Sequence, residues 1–348
     1  MKRITNILLL IGIILYYSIS NSFAAVTVDV TFDSGGAIDA AVKSLIEAEV
    51  HNLVDKYADM SDFSRGFGNA SIYASHASTL RGYQGYDLFA VSVGTMASVQ
   101  APDDSMTFYE DIPDDIDNGD VYAGVGFNPV VGQMGINLGF IIDGLYMSFK
   151  FGKFNYELDQ SDYRVDYNSS LIGVLVDYQI IRTKSILARA LLWRGFNIES
   201  GFIYSNSNIV YSQEIDSFEV ISGGYTALID PSINLEMDVS TYVIPLEIYT
   251  SFRLFWTINI GVGGGFDYAW GKTDLTIHSD GSAVITAPAA AEGTITIDAS
   301  TKDIEPDSFR PKLTANAGLS IGPVFIDVPA SYYLDNGYAI GLTAGFAW

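Results

Sequence analysis

Residues 337–348 end the chain with the stretch GYAIGLTAGFAW, and this stretch decides the fold. One set of alternate residues is apolar or aromatic and the other set is small, so the period is two. A strand of a soluble sandwich would carry charges on its outer face, but here neither face is charged. The pattern is typical of the last strand of a transmembrane β-barrel. The apolar set is Tyr338, Ile340, Leu342, Ala344, Phe346 and Trp348.

The alternation Y-x-I-x-L-x-A-x-F-x-W that ends at Trp348 resembles the C-terminal signature of bacterial outer-membrane β-barrel proteins. The resemblance implies that Phe346 and Trp348 form the signal that the barrel assembly machinery recognises. It also implies that outer-membrane lipid surrounds the folded chain. The resemblance names an architecture and a membrane, but no substrate.

The amino end has the features of a secretory signal peptide that is cut after Ala24. Lys2 and Arg3 precede an apolar run over residues 7–15, and the small residues Ser22 and Ala24 stand just before the cleavage point. The alternative, a transmembrane anchor, needs a longer apolar run. Because the chain has no cysteine, a lipoprotein anchor, disulfides and thiolate metal sites are excluded.

Composition favours a β-protein with few charges. The chain contains 22 Tyr and 33 Gly, and its charged fraction of 17% is below the roughly 25% that is usual for soluble domains. Strands that face lipid on one side account for these values, but a large secreted β-sandwich would have similar totals. The net charge of −23 argues against nucleic acid as a partner.

Residues 25–86 form a separate region ahead of the barrel, which spans 87–348. Apolar residues at helical spacing predict an amphipathic helix over residues 37–58. The Gly- and Ser-rich segment that follows has no clear period. The region is weakly similar to the N-terminal hatch of the long-chain fatty-acid transporter family, which implies a plug-like role for it.

A charge-free run of 22 residues, 121–142, is long enough to suggest a transmembrane helix. Its five glycines and one proline oppose a helix, so we interpret it as two strands joined by a turn near residues 128–133. The apolar phase then shifts by one residue at Asp143-Gly144. We interpret this shift as a β-bulge.

The whole pattern predicts an all-β membrane protein, an antiparallel transmembrane β-barrel of about ten strands within a range of eight to fourteen. Residues 256–270 give its clearest interior strand, with aromatics at both ends. Alternating strand directions place four long loops on one side, outside the cell, and short turns such as 182–185 on the periplasmic side. The predicted loops are 102–120, 158–167, 212–238 and 278–308.

Residues that could carry chemistry are few. The three histidines lack a metal-ligand spacing, and no nucleophile elbow, P-loop or zinc-protease motif occurs, so we expect no metal, no cofactor and no enzymatic activity. An outer-membrane enzyme could still assemble its residues from separate strands. The period of two points the charged residues Glu247, Arg253 and Asp267 into the lumen, because charges facing lipid are costly.

The sequence favours a channel or transporter in the outer membrane for small solutes, hydrophobic ones among them, with the N-terminal region as a plug. The alternative is a surface adhesin or a structural barrel without transport, which the four long loops favour. An outer-membrane enzyme is the third hypothesis. The sequence does not identify a solute.

Overall fold

The computed structural model describes residues 25–32, 43, 61–76, 86–102, 122–160, 163–186, 190–214, 217–222, 225–287 and 291–348. The signal peptide predicted over residues 1–24 lies outside these ranges. So does the amphipathic helix predicted over 37–58, apart from Lys43, whose Nζ lies 2.7 Å from Asp29 Oδ1. No helix within the described ranges is long and apolar enough to cross a membrane.

The described residues include helix α1, Ser61–His76, and fourteen strands. The strands are β1 (Ala25–Phe32), β2 (Phe89–Gln100), β3 (Gly124–Asn137), β4 (Leu145–Asp159), β5 (Tyr163–Ile181), β6 (Lys184–Ile186), β7 (Leu191–Glu214), β8 (Phe218–Ser222), β9 (Tyr225–Leu254), β10 (Ile258–Ala287), β11 (Ala291–Ile304), β12 (Phe309–Ile321), β13 (Val324–Tyr333) and β14 (Gly337–Ala347).

Ten of the strands pair antiparallel in a closed ring, which confirms the predicted barrel and its strand number. The order is β2-β3-β4-β5-β7-β9-β10-β12-β13-β14, and β14 pairs back with β2 from Gly337 opposite Gln100 to Ala347 opposite Ala90. Along β14 the apolar set points outward and the small set is turned inward, as the period of two predicts. A ring without a free edge satisfies its backbone hydrogen bonds internally, which a membrane requires.

The outward face of the wall changes from apolar to polar within single strands. On β10 this face is apolar from Ile258 to Trp270 and polar from Lys272 to Asp280, without a change of phase. On β9, which runs the other way, the same change lies at Tyr242, with the polar residues before it and the apolar residues after it; the Tyr242 ring stacks on Trp270 at 5.6 Å. We call the outward apolar surface of the ten-strand ring the apolar belt. Its aromatic limit is the girdle expected where lipid meets water.

Beyond this limit, part of the wall continues as a second sheet, which we call the extended sheet. It consists of the far ends of β5, β7, β9 and β10 together with β8, β11 and β1, and β1 pairs with β11 over all eight of its residues. Its inner face carries a buried apolar cluster that includes Leu235, Met237 and Leu275, while its outward face is polar. This alternation is that of a half-buried strand in water.

The extended sheet corrects the prediction of long loops over 212–238 and 278–308. Most of these residues belong to β7, β8, β9, β10 and β11, and most of 158–167, also predicted as a loop, belongs to β4 and β5. The loop predicted over 102–120 lies outside the described residues apart from residue 102. The prediction was wrong because it equated the end of the apolar outward face with the end of the strand. The inward residues keep their apolar period beyond that point, for example at Leu235 and Met237, and so the strands continue.

The predicted turn near residues 128–133 and the predicted bulge at Asp143-Gly144 are also wrong. Strand β3 runs unbroken through residues 128–133, with an irregular register opposite Gly94 to Met96. The turn lies instead at residues 138–144 and ends on Gly144, whose φ of 84° suits glycine. Because one turn replaces the other, the number of strands is unaffected.

Helix α1 lies inside the barrel, with Phe63 and Phe67 against the extended sheet and His76 within the ring, although its sequence showed no clear period. Thirteen of its sixteen residues are buried, so it has no polar face to produce a helical period. Small residues allow it to approach the wall closely: a Cβ on Gly124 would lie 2.2 Å from the carbonyl carbon of Gly66, and one on Gly126 would lie 2.3 Å from the carbonyl oxygen of Ala70. The helix and β3 therefore pack backbone against backbone.

A Gly124→Ala substitution is expected to lower the unfolding free energy by about 1–3 kcal/mol, because the added methyl would overlap the Gly66 backbone. Thermal unfolding in detergent measures the change. Gly264→Ala is the matched control, because its nearest atom would lie 3.3 Å away, on the outward side of β10. Equal effects of the two substitutions would contradict the packing of α1 against β3.

Candidate functional site in the barrel lumen

Five charged or titratable side chains from five elements meet inside the ring. His76 is the last residue of α1, and strands β7, β9, β10 and β12 each present one inward residue to it. All five side chains are completely buried. We call this group the lumen cluster: His76, Glu199, Glu247, Asp267 and Lys312.

Lys312 occupies the centre of the lumen cluster. Its Nζ lies 2.5 Å from Asp267 Oδ1, 2.7 Å from Glu247 Oε1 and 2.6 Å from His76 Nδ1. An ammonium group has three donors and no acceptor, so Nδ1 of His76 accepts a hydrogen bond from it. The proton of the neutral ring is then on Nε2, which donates to Glu199 Oε1 at 2.9 Å. The three contacts use all the donors of the ammonium.

A second ammonium holds the end of the helix. Lys150 is buried, and its Nζ donates to the carbonyl oxygen of Ser75 at 2.7 Å. The C-terminal end of a helix carries partial negative charge and free carbonyl groups, so a cation is favourable there. Lys150 and the lumen cluster together fix the C-terminal end of α1 to five strands of the wall. Buried charges of this kind are tolerated only when they are paired.

Tyrosines extend this polar network towards β2. The hydroxyl of Tyr333 donates to Asp267 Oδ2 at 2.8 Å, and its ring stacks on Tyr73 of α1 at 3.8 Å. The hydroxyl of Tyr73 donates to Gln100 Oε1 at 2.5 Å. Arg310, also buried, lies 5.9 Å from the Tyr73 ring and bonds Asp307 and Asp335. The network therefore reaches across the interior from β7 to β2.

The donor set of the lumen cluster raises the question of a metal ion. His76, Glu199 and Glu247 each offer a ligand atom, and these atoms lie within 4.8 Å of one another. However, Glu199 and Glu247 approach opposite nitrogens of the imidazole ring, at 2.9 and 3.0 Å. The Lys312 ammonium also contacts both Glu247 and the imidazole nitrogen nearest to it, at 2.7 and 2.6 Å. The arrangement suits an internal ammonium and does not fit a metal ion.

The structure brings together two of the three predicted lumen residues. Glu247 and Asp267 belong to the lumen cluster, whereas Arg253 lies near the other end of β9, where its Nε donates to Asn259 Oδ1 at 3.0 Å. Arg253 and Arg194 line a cavity of about 200 Å³ beside Trp348. The predicted assembly residue Phe346 lies on β14, with its ring 6.0 Å from that of Trp348.

Sequence reasoning missed His76, Glu199 and Lys312. His76 was interpreted as an ordinary residue because the segment around it has no period. Lys312 and Glu199 could have been found, since each falls in the inward phase of its strand. Their meeting with His76 could not be predicted without the position of α1.

An exposed group of three titratable residues lies on the outward face of the extended sheet. His278 Nδ1 is 2.6 Å from Asp298 Oδ1, and its Nε2 is 2.6 Å from Asp280 Oδ2. Hydrogen bonds to Asp298 and then Asp280 raise the pKa of His278 above its ordinary 6.5. Its stabilising contribution is therefore complete below pH 6.5 and is lost as the pH rises through the higher folded-state pKa.

Proton NMR titration is expected to show this raised pKa for His278. Asp298→Asn removes the larger cause, so it should bring the pKa of His278 back towards its ordinary value. Asp274→Asn, at a residue bonded to Lys272 and Asp303, is the control and should leave the titration unchanged. A His278 titration below 6.5 would contradict the two contacts.

Comparisons with known proteins give the following. Among solved structures, the chain is similar to the translocator domain of the autotransporter NalP from Neisseria meningitidis, with 9% identity and a TM-score of 0.33, covering 87% of this chain and 98% of that one. It is also similar to CarO of Acinetobacter baumannii, with 11% identity and a TM-score of 0.27, covering 59% and 96%. The third is a Pseudomonas aeruginosa FadL homologue, with 10% identity and a TM-score of 0.27, covering 82% of this chain and 98% of that one.

At these TM-scores the likenesses give no information about function. No curated protein matches the sequence. A protein-family model, described as Lsa36-like, matches residues 23–348, which is nearly the whole chain, and so the chain belongs to the Lsa36-like family.

Proposed function

We propose that this protein is an outer-membrane barrel that is closed to solutes and displays the extended sheet at the cell surface, where it binds partner macromolecules. The observation that carries the proposal is the filled lumen. A ring of ten strands is narrow, and α1 with the lumen cluster occupies its interior. The proposal thus favours the surface protein over the channel that the sequence favoured.

The burial of charged side chains supports closure. Lys150 and Lys312 point into the interior and have almost no exposed surface, at 0% and 2%. The charges that line an aqueous channel are in contact with water, which solvates them. Here the two ammonium groups are solvated by protein groups instead, from α1 and, for Lys312, from the neighbouring strand β10.

The size of the extended sheet supports display. Strands β9 and β10 are each 30 residues long, whereas about 9–11 residues cross a bilayer. The surplus forms a sheet whose inner face packs with Phe63 and Phe67 of α1 in an apolar cluster and whose outward face is polar and acid-rich. Such a face stays in water, where another macromolecule can contact it.

The outer membrane is proposed from the apolar belt and the aromatic end of β14. A chain that crosses a membrane as a closed barrel is assembled in an outer membrane, so we propose the barrel assembly machinery and outer-membrane lipid as partners. We propose no catalytic role, because His76 is completely buried and could not touch a substrate in this conformation.

Two measurements on the full-length protein test this proposal. A membrane-impermeant amine reagent on whole cells should label Lys302 of the extended sheet. Lys184 of β6, at the other end of the barrel, should be labelled only after the cells are disrupted. Vesicles that contain the protein should not swell in isotonic sugar. Labelling of Lys184 alone on whole cells would reverse the orientation, and swelling would show an open channel.

A further inference from the structure

The apolar belt has a shallow depression where β12, β13, β14 and β2 lie side by side. Three outward alanines, Ala315, Ala330 and Ala97, form its floor, and we call it the alanine groove. Its volume is about 500 Å³, and inward-facing residues such as Thr314 and Ser98 form part of its lining. Most of its accessible surface is apolar.

Cross-strand pairing explains the shape of the groove. One row across the four strands is bulky: Leu313 lies opposite Tyr332, Tyr332 opposite Tyr338, and Tyr338 opposite Val99. The next row is mostly small: Ala315 lies opposite Ala330, Ala330 opposite Ile340, and Ile340 opposite Ala97. The step between a large row and a small row leaves the depression.

The groove has a polar end. Tyr332 and Tyr338 stand beside the turn that joins β13 to β14, and their rings are 5.2 Å apart. Tyrosines at such a limit keep their rings in the apolar region and their hydroxyls near the head groups. The groove is therefore amphipathic along its length, with hydroxyls at one end and methyl groups along the floor.

The surroundings decide what fills the groove. The apolar belt is in contact with hydrocarbon, and an unfilled space beside a wall loses the dispersion contacts on one side. Lipid acyl chains surround the belt, so they are the molecules that can supply these contacts. The groove also crosses the seam where the first and last strands of the ring, β2 and β14, pair. A chain lying in it would contact both strands.

We propose that the alanine groove binds one acyl chain of a membrane lipid, with the polar end of that lipid at Tyr332 and Tyr338, and that this chain braces the β14–β2 seam. The bulky row fixes the position of the bound lipid along the groove. This lipid therefore exchanges more slowly than the other lipids around the belt. A second copy of the protein is the competing occupant. Its convex wall would meet the groove only along a line, whereas a single acyl chain can enter the groove.

Native mass spectrometry of the full-length protein tests the proposal. The protein is folded into vesicles of phosphatidylethanolamine and phosphatidylglycerol and then released with a mild detergent. The wild type is expected to keep a single phospholipid. The double variant Ala315→Leu with Ala330→Leu fills the groove, so the retained lipid should fall at least tenfold. The variant should still show heat-modifiable mobility, which reports a folded barrel.

The matched control is Ala344→Leu, an outward alanine of β14 that also lies on the seam but outside the groove. It should keep the lipid at the wild-type level. Equal lipid retention by the groove variant and the control would overturn the proposal, and so would a wild type without lipid. A lipid-free dimer that the groove variant abolishes would assign the groove to a second copy instead.

Discussion

Replacing Lys312 with methionine is expected to release α1 from the lumen and to give the barrel an ionic conductance that the wild type lacks. The substitution removes the cation that contacts Asp267, Glu247 and His76. Two buried carboxylates then lose their ammonium partner, and breaking a buried pair in this way costs about 3–5 kcal/mol. The ring itself is held by its backbone ladder, so the helix is the part expected to leave.

Planar-bilayer recording measures the conductance, and thermal unfolding measures the loss of stability. Lys272→Met is the matched control, because Lys272 is exposed and pairs with Asp274 and Asp303 at 3.4 Å. Its effect on stability should be much smaller than that of the Lys312 variant, because water screens an exposed ion pair. Adding Glu247→Gln and Asp267→Asn to the Lys312 variant should recover part of the stability. A Lys312 variant that shows no conductance and is as stable as the wild type would contradict the role given to the lumen cluster.

Removing Phe346, Ala347 and Trp348 is expected to leave most of the protein unassembled. The backbone of Trp348 is part of the closure of the ring: its oxygen accepts from Leu88 N at 2.8 Å, and its nitrogen donates to Phe89 O at 2.9 Å. The ring of Phe346 lies 6.4 Å from that of Phe89. The truncation removes the contacts between β14 and β2 that lie nearest the end of the chain. It also removes the proposed assembly signal.

Heat-modifiable mobility in outer-membrane fractions reports the folded amount. Leu342→Ala is the control, because it changes an outward residue of the same strand and leaves the closing contacts in place. Refolding of the truncated protein from urea into detergent separates the two causes. Recovery there would assign the loss to the assembly signal rather than to the seam. Normal assembly of the truncated protein in cells would contradict both.

The barrel could be predicted from the sequence because lipid imposes one simple rule on every strand. Outward residues are apolar over the belt, so a period of two is visible from β2 to β14, and it gives the strand number. The rule stops at the limit marked by Tyr242 and Trp270. Beyond that limit the outward side turns polar, and strands such as the far end of β9 were predicted as loops.

The interior was harder to predict, for two physical reasons. A helix buried on all sides carries no amphipathic period, so the small residues of α1 gave no signal. The lumen cluster combines residues from five elements, and their distances depend on the position of α1 in the ring. Period and charge placed Glu247 and Asp267 in the lumen, but nothing in the sequence indicated that His76 would meet them.

Backbone hydrogen exchange of α1 in the folded, full-length protein tests the central claim most directly. If α1 fills the lumen, the amides of residues 66–76, all of them buried, are shielded from water and should be protected on the order of 10³-fold or more, like those of the belt strands. Exchange of these amides at the rate of an unstructured peptide, beside protected strands, would show that the lumen is not filled by this helix.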